Sequence, residues 1–564
     1  MLIHRRDFIQ LTLAALAMTG GSVSALRSAV AEKSITQDDI LKFEPKGQVT
    51  LIHLTDIHAQ LNPIYFREPS VNIGVGEVMG LPPHLTGEDF LKYYHIKRGT
   101  PEAYALTYLD FENLARTYGR VGGMDRVATL VKAIRAERPG KCLLLDGGDT
   151  WQGSWTALQT GGQDMVDCMN MLGTDAMTAH WEFTYGEDRV NELVEKLKFP
   201  FLAGNVINTE WEEPVFKAFE IFERGGVKVA VIGQAFPYTP VANPRYKIPN
   251  WSFGIREKMM QKHVEDARAA GAELVVMLSH NGFDVDRKMA RRVKGIDVIL
   301  SGHTHDALPD VVKVGKTIIV SSGCSGKFVS RLDVEVKGGR MVDYAFKLMP
   351  VFSDAITPDP EMAEFIRKVR EPYLKDVTEK LGTTKGALYR RGNINGTFDD
   401  LICAALMEKR DAEIALSPGF RWGPSLIPGS DILADDVYSQ TAITYPNAYR
   451  TEMTGKMLKD ILEDVCDNLY NPDPYYQQGG DMVRSGGIAY DLHPFKPMGQ
   501  RIQNLRLSRN GEPIEPTKKY VVAGWASVNE GTQGPPIWEI VKDYIREKKV
   551  IDIKPNTDIR LVTK

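Results

Sequence analysis

Three observations predict an α/β fold. Short, nearly continuous apolar runs recur through the first half and beyond, among them Leu143-Leu144-Leu145 and Val275-Val276-Met277-Leu278. Stretches with helical periodicity separate most of them. Several runs end in Asp or His. Strands without apolar/polar alternation are buried on both faces, which calls for a sheet with layers on each side. Ligands of such sheets lie beyond the carboxyl ends of the strands, where these polar residues stand.

Taken in order, the chain opens on a targeting segment. His4-Arg5-Arg6-Asp7-Phe8-Ile9-Gln10 has the twin-arginine pattern, and the apolar stretch from Phe8 to Met18 is too short to span a bilayer. Ala29-Val30-Ala31 fits a cleavage site, so residues 1–31 are expected to be a signal peptide and the mature chain periplasmic, exported folded. The catalytic unit is expected over 48–350. Its strands are Gln48–Leu54, Lys141–Leu145, a short one at Thr174–Met177, Val227–Ile232, Glu273–Leu278 and Gly295–Leu300. Residues 62–118 are aromatic and rich in turn formers, and read as an insertion with local helices rather than core. Gly119 to Arg138 carries helical periodicity. A linker helix over 357–380, with Pro372 placed to kink it, leads to a mixed α/β region at 381–564. There Met453 to Asp467 is the clearest amphipathic helix.

Composition excludes several classes. The 564 residues carry a net charge of -4, with no basic field for nucleic acid, and no further apolar run reaches membrane-spanning length. The cysteines Cys142, Cys168, Cys324, Cys403 and Cys466 are scattered without a C-x-x-C pair, which argues for buried, unpaired thiols.

The strand ends hold Asp56, His58, Asp149, His180, His280, His303 and His305. Mixed imidazole and carboxylate donors suit first-row divalent metals such as manganese, iron or zinc, and are too nitrogen-rich for calcium or magnesium. The set exceeds one tetrahedral site but serves two metals sharing a carboxylate, an arrangement that clamps a tetrahedral oxyanion. Gly302, before His303, lets the backbone pass close to a neighbour.

Thr55-Asp56-Ile57-His58, Gly148-Asp149, Ser279-His280-Asn281-Gly282 and Gly302-His303-Thr304-His305, in this order, resemble the metallophosphoesterases. Leu145-Asp146-Gly147-Gly148-Asp149-Thr150-Trp151-Gln152-Gly153 is similar to a motif of the periplasmic 5′-nucleotidases. That resemblance implies a four-layered α/β/β/α sandwich followed by a substrate-binding domain. It also implies Asp56, His58, Asp149 and His305 around one metal and Asp149, His180, His280 and His303 around the other.

The departures are informative. Where nucleotidases have Gly-Asn-His-Glu-Phe, this chain has Ala179-His180-Trp181-Glu182-Phe183. Pro446-Asn447-Ala448 and Asn529–Gly534 replace the two faces of the nucleotidase base clamp. His180-Trp181-Glu182-Phe183-Thr184-Tyr185-Gly186, with Asn395-Gly396-Thr397-Phe398-Asp399 and the 62–118 insertion, resembles the SoxB thiosulfohydrolases. That resemblance implies two manganese ions, with zinc or iron as alternatives, and a SoxYZ-type carrier whose cysteine arm displays a thiosulfonate. A metal-bound hydroxide would attack the sulfonate, and the persulfide leaving group needs less acid assistance than an alkoxide, so losing the histidine at Trp181 is tolerable. Arg421, in Ser417-Pro418-Gly419-Phe420-Arg421, matches a substrate-binding arginine, and its planar fork suits an oxyanion. Tyr185 is a candidate donor to the sulfonate, and Arg450 a weaker one. The competing readings are a nucleotidase or cyclic phosphodiesterase with an altered base pocket, and a non-catalytic carrier-binding protein.

Overall fold

The computed structural model describes residues 35–563, so the twin-arginine segment lies outside the described residues. Two sheets face each other. The first has five strands, in the order Arg340–Pro350, Phe328–Lys337, Val49–Leu54, Cys142–Asp146 and Ala176–Met177. Val49–Leu54 runs parallel to Cys142–Asp146 and antiparallel to Phe328–Lys337. The second has six, in the order Val312–Val314, Thr317–Ser321, Val298–Ser301, Leu274–Ser279, Val227–Gln234 and Phe219–Arg224. Its four inner strands are mutually parallel and its edges antiparallel.

The period of two along each strand explains the layers. Val49, Leu51, Leu143 and Leu145 meet Val229, Val231, Val276, Leu278 and Leu300 between the sheets. Their neighbours Ile52, Leu54 and Leu144 turn outward to a core with the helices Met124–Glu137 and Gln163–Leu172. On the far side Ala230, Ile232, Val275 and Met277 pack on Met260 and Val264 of the helix Glu257–Ala269 and on Phe283 and Met289 of the helix Phe283–Arg292. The result is the α/β/β/α order.

Two expectations need correction. The helix expected from Gly119 begins at Met124, because Gly119, Gly122 and Gly123 hold φ of 78°, 79° and 97°, outside helical geometry. The 62–118 segment does form local helices (Gly87–Tyr93, Pro101–Leu106 and Phe111–Tyr118), but it is not outside the core. Phe66, Tyr104, Phe111, Leu114 and Tyr118 are buried in the largest apolar cluster. Lys327, at the foot of Phe328–Lys337, pairs with Glu68 and donates to the carbonyl of Ala105 at 3.0 Å, pinning the segment in place. Farther on, Val71, Ile73 and Val75 pack against an apolar cluster of the C-terminal half.

The linker is a helix Pro360–Arg370, capped by Asp359, then a 3-10 turn Glu371–Tyr373 at Pro372, then a last turn Leu374–Val377. Beyond it a four-stranded sheet runs in the order Tyr449–Thr454, Lys519–Gly524, Ile414–Ser417 and Arg484–Gly486, flanked by two three-stranded sheets. The amphipathic helix spans Gly455–Tyr470, its Thr454 cap accepting from Met457 N–H. Among the described residues no helix is long and apolar enough to cross a membrane.

Candidate metal centre

All seven strand-end residues converge. Asp149, His180, His280 and His303 form one buried group, and Asp56, His58, Asp149 and His305 another, with the ligand atoms of each group within 4.8 Å of one another. Asp149 belongs to both. Its Oδ2 lies 3.3 Å from His180 Nδ1, 3.0 Å from His280 Nε2 and 3.6 Å from His58 Nε2. His305 Nε2 stands 3.1 Å from Asp56 Oδ1.

The local backbone explains the convergence. Asp56, His58, Asp149, His303 and His305 have φ of 51°, 49°, 58°, 74° and 59°, a region that side-chain-bearing residues enter rarely. Each strand therefore ends in a sharp reversal that aims its ligand inward, and such strain clusters at functional sites. Gly302 permits the close approach its sequence position suggested. A Cβ there would stand 2.5 Å from Thr55 Oγ1 and 3.0 Å from His280 Nδ1. Glu182, fully buried, accepts from the N–H groups of His180, Thr150 and Trp151 at 2.8, 2.6 and 3.2 Å and ties the loops together.

Hydrogen bonds fix the tautomers. His58 and His280 turn Nδ1 to the carbonyls of Gln152 and Gly147, at 3.2 and 2.6 Å, so Nε2 of each offers a lone pair inward. His303 Nε2 donates to the carbonyl of Gln478 at 2.8 Å, which leaves Nδ1 as donor to a metal. His180 Nε2 meets Asn243 Oδ1 at 3.2 Å, which likewise leaves Nδ1. Nδ1 of His180 and Nε2 of His280 are buried without a hydrogen-bond partner, and both point at Asp149. These orphaned nitrogens beside a shared carboxylate fit a pair of divalent metals.

The electrostatics agree. Burial works to lower the pKa of His280, yet Asp149 and Asp56 hold it up at about 10. Burial also opposes charge on His305, and Asp56 holds it at about 9. Burial drives His58 down to about 4 and lowers His180 and His303 as well. Burial would raise Asp56 and Asp149, but the facing imidazoles keep both below the usual carboxylate range. The two carboxylates thus favour positive charge at this place, which metal cations supply when bound.

The substrate-side candidates divide. Trp181 is 6% exposed and sits in the core cluster of the C-terminal half. Its ring lies edge-on to Phe420 and Trp422, at 5.0 and 4.9 Å, and parallel to Tyr445 at 5.9 Å. Arg421 lines a cleft beside His303 with Asn281, Asp306 and Arg391. It donates to Asp481 at 3.3 Å, to the Thr304 carbonyl at 3.2 Å and to the Gly480 carbonyl, leaving further N–H groups for a ligand. Tyr185 is a correction: its one hydroxyl proton is committed to the main-chain carbonyls of Trp151 and Ala157, at 2.9 and 3.1 Å. Arg450 donates to the carbonyls of Arg410 and Asp411 and takes no part in either ligand group. Sequence reading missed Asn243, Gln478 and Arg391. Arg391 was signalled by the Arg390-Arg391 pair; the other two lie in loops with no local mark.

The chain was compared with known proteins. Residues 378–543 match the family described as 5′-nucleotidase, C-terminal domain. The solved structure of a sulfate thiohydrolase SoxB from Thermus thermophilus, in complex with glycerol, is 36% identical, with a TM-score of 0.90, covering 93% of this chain and 98% of that one. This chain belongs to the SoxB family. That family stands within the 5′-nucleotidase and metallophosphoesterase superfamily. Rat 5′-nucleotidase is 26% identical over 75% of this chain and 80% of its own length. A 5′-nucleotidase precursor from Thermus thermophilus, 22% identical with a TM-score of 0.72 over 92% of this chain and 100% of that one, shares the fold. As a SoxB-family member the chain is a hydrolase, with two groups of metal ligands meeting at Asp149.

Proposed function

We propose that this hydrolase acts on the thiosulfonate carried by a cysteine of a SoxYZ-type carrier protein and releases sulfate in the periplasm, after export by the twin-arginine route. One observation carries the reading. The complete ligand set is combined with His180-Trp181 where nucleotidases place Asn-His, inside a closed aromatic cluster. Phe420 and Trp422 are stacked 4.4 Å apart, whereas a purine held between two rings needs roughly 7 Å, two contact distances. Phe420 and Trp422 therefore leave no slot for a base between them, which disfavours the nucleotidase reading.

In the proposed reaction the oxygen of water bonds to the terminal sulfur. The bond from that sulfur to the sulfane sulfur breaks, its electron pair leaves on the carrier persulfide, and the two protons of the water pass to solvent. Asp56, His58, Asp149 and His305 would hold one metal and Asp149, His180, His280 and His303 the other. Manganese is the proposed ion, by family resemblance. The pair, when bound, supplies the positive charge that stabilises a tetrahedral oxyanion and acidifies water. Arg421 and Arg391 line the cleft beside His303 and offer N–H donors to sulfonate oxygens. Trp181 closes the site with an apolar wall and offers no proton, which a persulfide leaving group does not require.

The test uses purified protein loaded with manganese. It measures sulfate released from a thiosulfonated carrier and phosphate released from AMP and from a cyclic nucleotide. Sulfate release with nucleotide turnover at background is expected. Efficient nucleotide hydrolysis without sulfate release would overturn the proposal.

A further inference from the structure

The ligands differ in what orients them. In the group Asp56, His58, Asp149 and His305, the orienting hydrogen bonds come from the sandwich itself. Thr55 Oγ1 donates to Asp56 at 2.6 Å, and the Gln152 carbonyl accepts from His58. The C-terminal half reaches this group through a ring contact, Trp422 stacking on His58 at 4.7 Å. In the other group His280 also turns to the sandwich, at Gly147.

His303 and His180 do not. The carbonyl that accepts from His303 belongs to Gln478, in the segment between the helix Gly455–Tyr470 and the strand Arg484–Gly486. The amide oxygen that accepts from His180 belongs to Asn243, whose nitrogen in turn donates to the Tyr445 hydroxyl, 3.3 Å away in the C-terminal half. Phe236 lies against both rings, at 4.0 and 4.3 Å, so each imidazole is held from its face as well.

The segment that carries Gln478 is built for close approach. Gly479 and Gly480 hold φ of 75° and 80°. A Cβ on Gly479 would stand 2.7 Å from His303 Nε2, whereas one on Gly480 would meet nothing within 4 Å. The segment is tied to the sandwich by Lys288 to Asp473 at 2.6 Å and by the Tyr475 hydroxyl donating to Glu257 at 2.9 Å.

We propose that the Gln478-Gly479-Gly480 strap and Asn243 are positioning elements for one metal site, Asp149/His180/His280/His303, whose occupancy thereby depends on hydrogen bonds from the C-terminal half, while the ligands of the other site take their orienting hydrogen bonds from the sandwich. This rests on the dinuclear reading of the centre. Removing a partner that orients a metal-bound imidazole costs about ten- to a hundredfold in affinity.

The experiment is a manganese titration of the metal-free full-length protein, read by bound-metal stoichiometry and by electron paramagnetic resonance. Wild type should take up two ions and show an exchange-coupled pair. Gly479→Ala and Asn243→Leu should bind the first ion normally and the second about ten- to a hundredfold more weakly, giving an uncoupled manganese signal at one equivalent. Asn243→Asp keeps an acceptor for His180 and should restore the second ion. Gly480→Ala imposes the same left-handed strain without touching His303 and should load like wild type. Coupled pairs at wild-type affinity in both Gly479→Ala and Asn243→Leu would overturn the proposal. Equal loss in Gly479→Ala and Gly480→Ala would overturn the role of the strap. A wild type that binds fewer than two ions would overturn the dinuclear reading beneath it, whatever the variants do.

Discussion

At Trp181, the residue where this chain departs most from the nucleotidases, the environment sharpens what a substitution should do. The indole is packed among Phe420, Trp422 and Tyr445, while its N–H group on the main chain donates to Asp149 at 2.8 Å. Trp181→His keeps the main-chain bond and replaces the apolar wall with an acid. Thiosulfonate turnover should fall, and the trace activity on a simple phosphate ester should rise by about tenfold or more, since a positioned acid assists an alkoxide leaving group. Trp181→Phe should keep most thiosulfonate turnover. Both are checked by sulfate and phosphate release at equal metal loading; a joint loss with a lowered melting temperature would mark the ring as packing alone. A second residue sets a pH dependence. Burial pushes the Asp164 carboxyl up to about 6, against the hydrogen bond from Thr160 at 2.8 Å. The folded state therefore holds a proton that the unfolded chain gives up near its ordinary value of 3.8, so this group's contribution is full below about pH 4 and lost as pH rises through 6. Asp164→Asn should gain stability relative to wild type between pH 4 and pH 7, by up to about 3 kcal/mol in urea denaturation. A difference independent of pH would refute the assignment.

Among the elements, the insertion is the one the sequence described least well. That it holds local helices was legible from its aromatic and turn-forming residues, but its burial was not. The partner of Glu68 is Lys327, and nothing near either residue marks the pairing. Lys327 is 1% exposed, with Phe66 and Phe328 rings beneath its ammonium group. Lys327→Met should cost about 3–5 kcal/mol in denaturant unfolding because it strands a buried carboxylate, and Lys327→Met combined with Glu68→Leu should recover most of that loss. Six strands of the two facing sheets were legible, to within one or two residues at most ends, because a strand buried on both faces announces itself as an unbroken apolar run; Phe219–Arg224, Val312–Val314, Thr317–Ser321, Phe328–Lys337 and Arg340–Pro350 were not read. The exception is Val298–Ser301, which starts later than its apolar run because Gly295 holds φ of 95°. The metal ligands were legible for a related reason: each lies within four residues of a strand's carboxyl end. Asn243 and Gln478 were not, since their place beside His180 and His303 is made by tertiary contact and carries no spacing rule.

For the molecule as a whole, the metal centre sits where both halves meet, so metal binding and folding are linked. Stripping the metals with a chelator should lower the melting temperature, and added manganese should restore it in proportion to the logarithm of its concentration, because an ion that binds only the folded state stabilises it by mass action. A melting temperature indifferent to chelation would show that the ligands are held without the ions. The whole-molecule view also gives the five cysteines a meaning. All are buried and unpaired, so the described fold owes nothing to disulfide oxidation. Burial pushes the thiol of Cys142 up to about 11 and that of Cys466 to about 12, and raises Cys168 and Cys403 as well. The proposed reaction leaves a persulfide on its partner, and a persulfide exchanges sulfur with accessible thiolates. With every thiol of its own buried, the protein would carry out the proposed reaction without offering reactive sulfur a second acceptor.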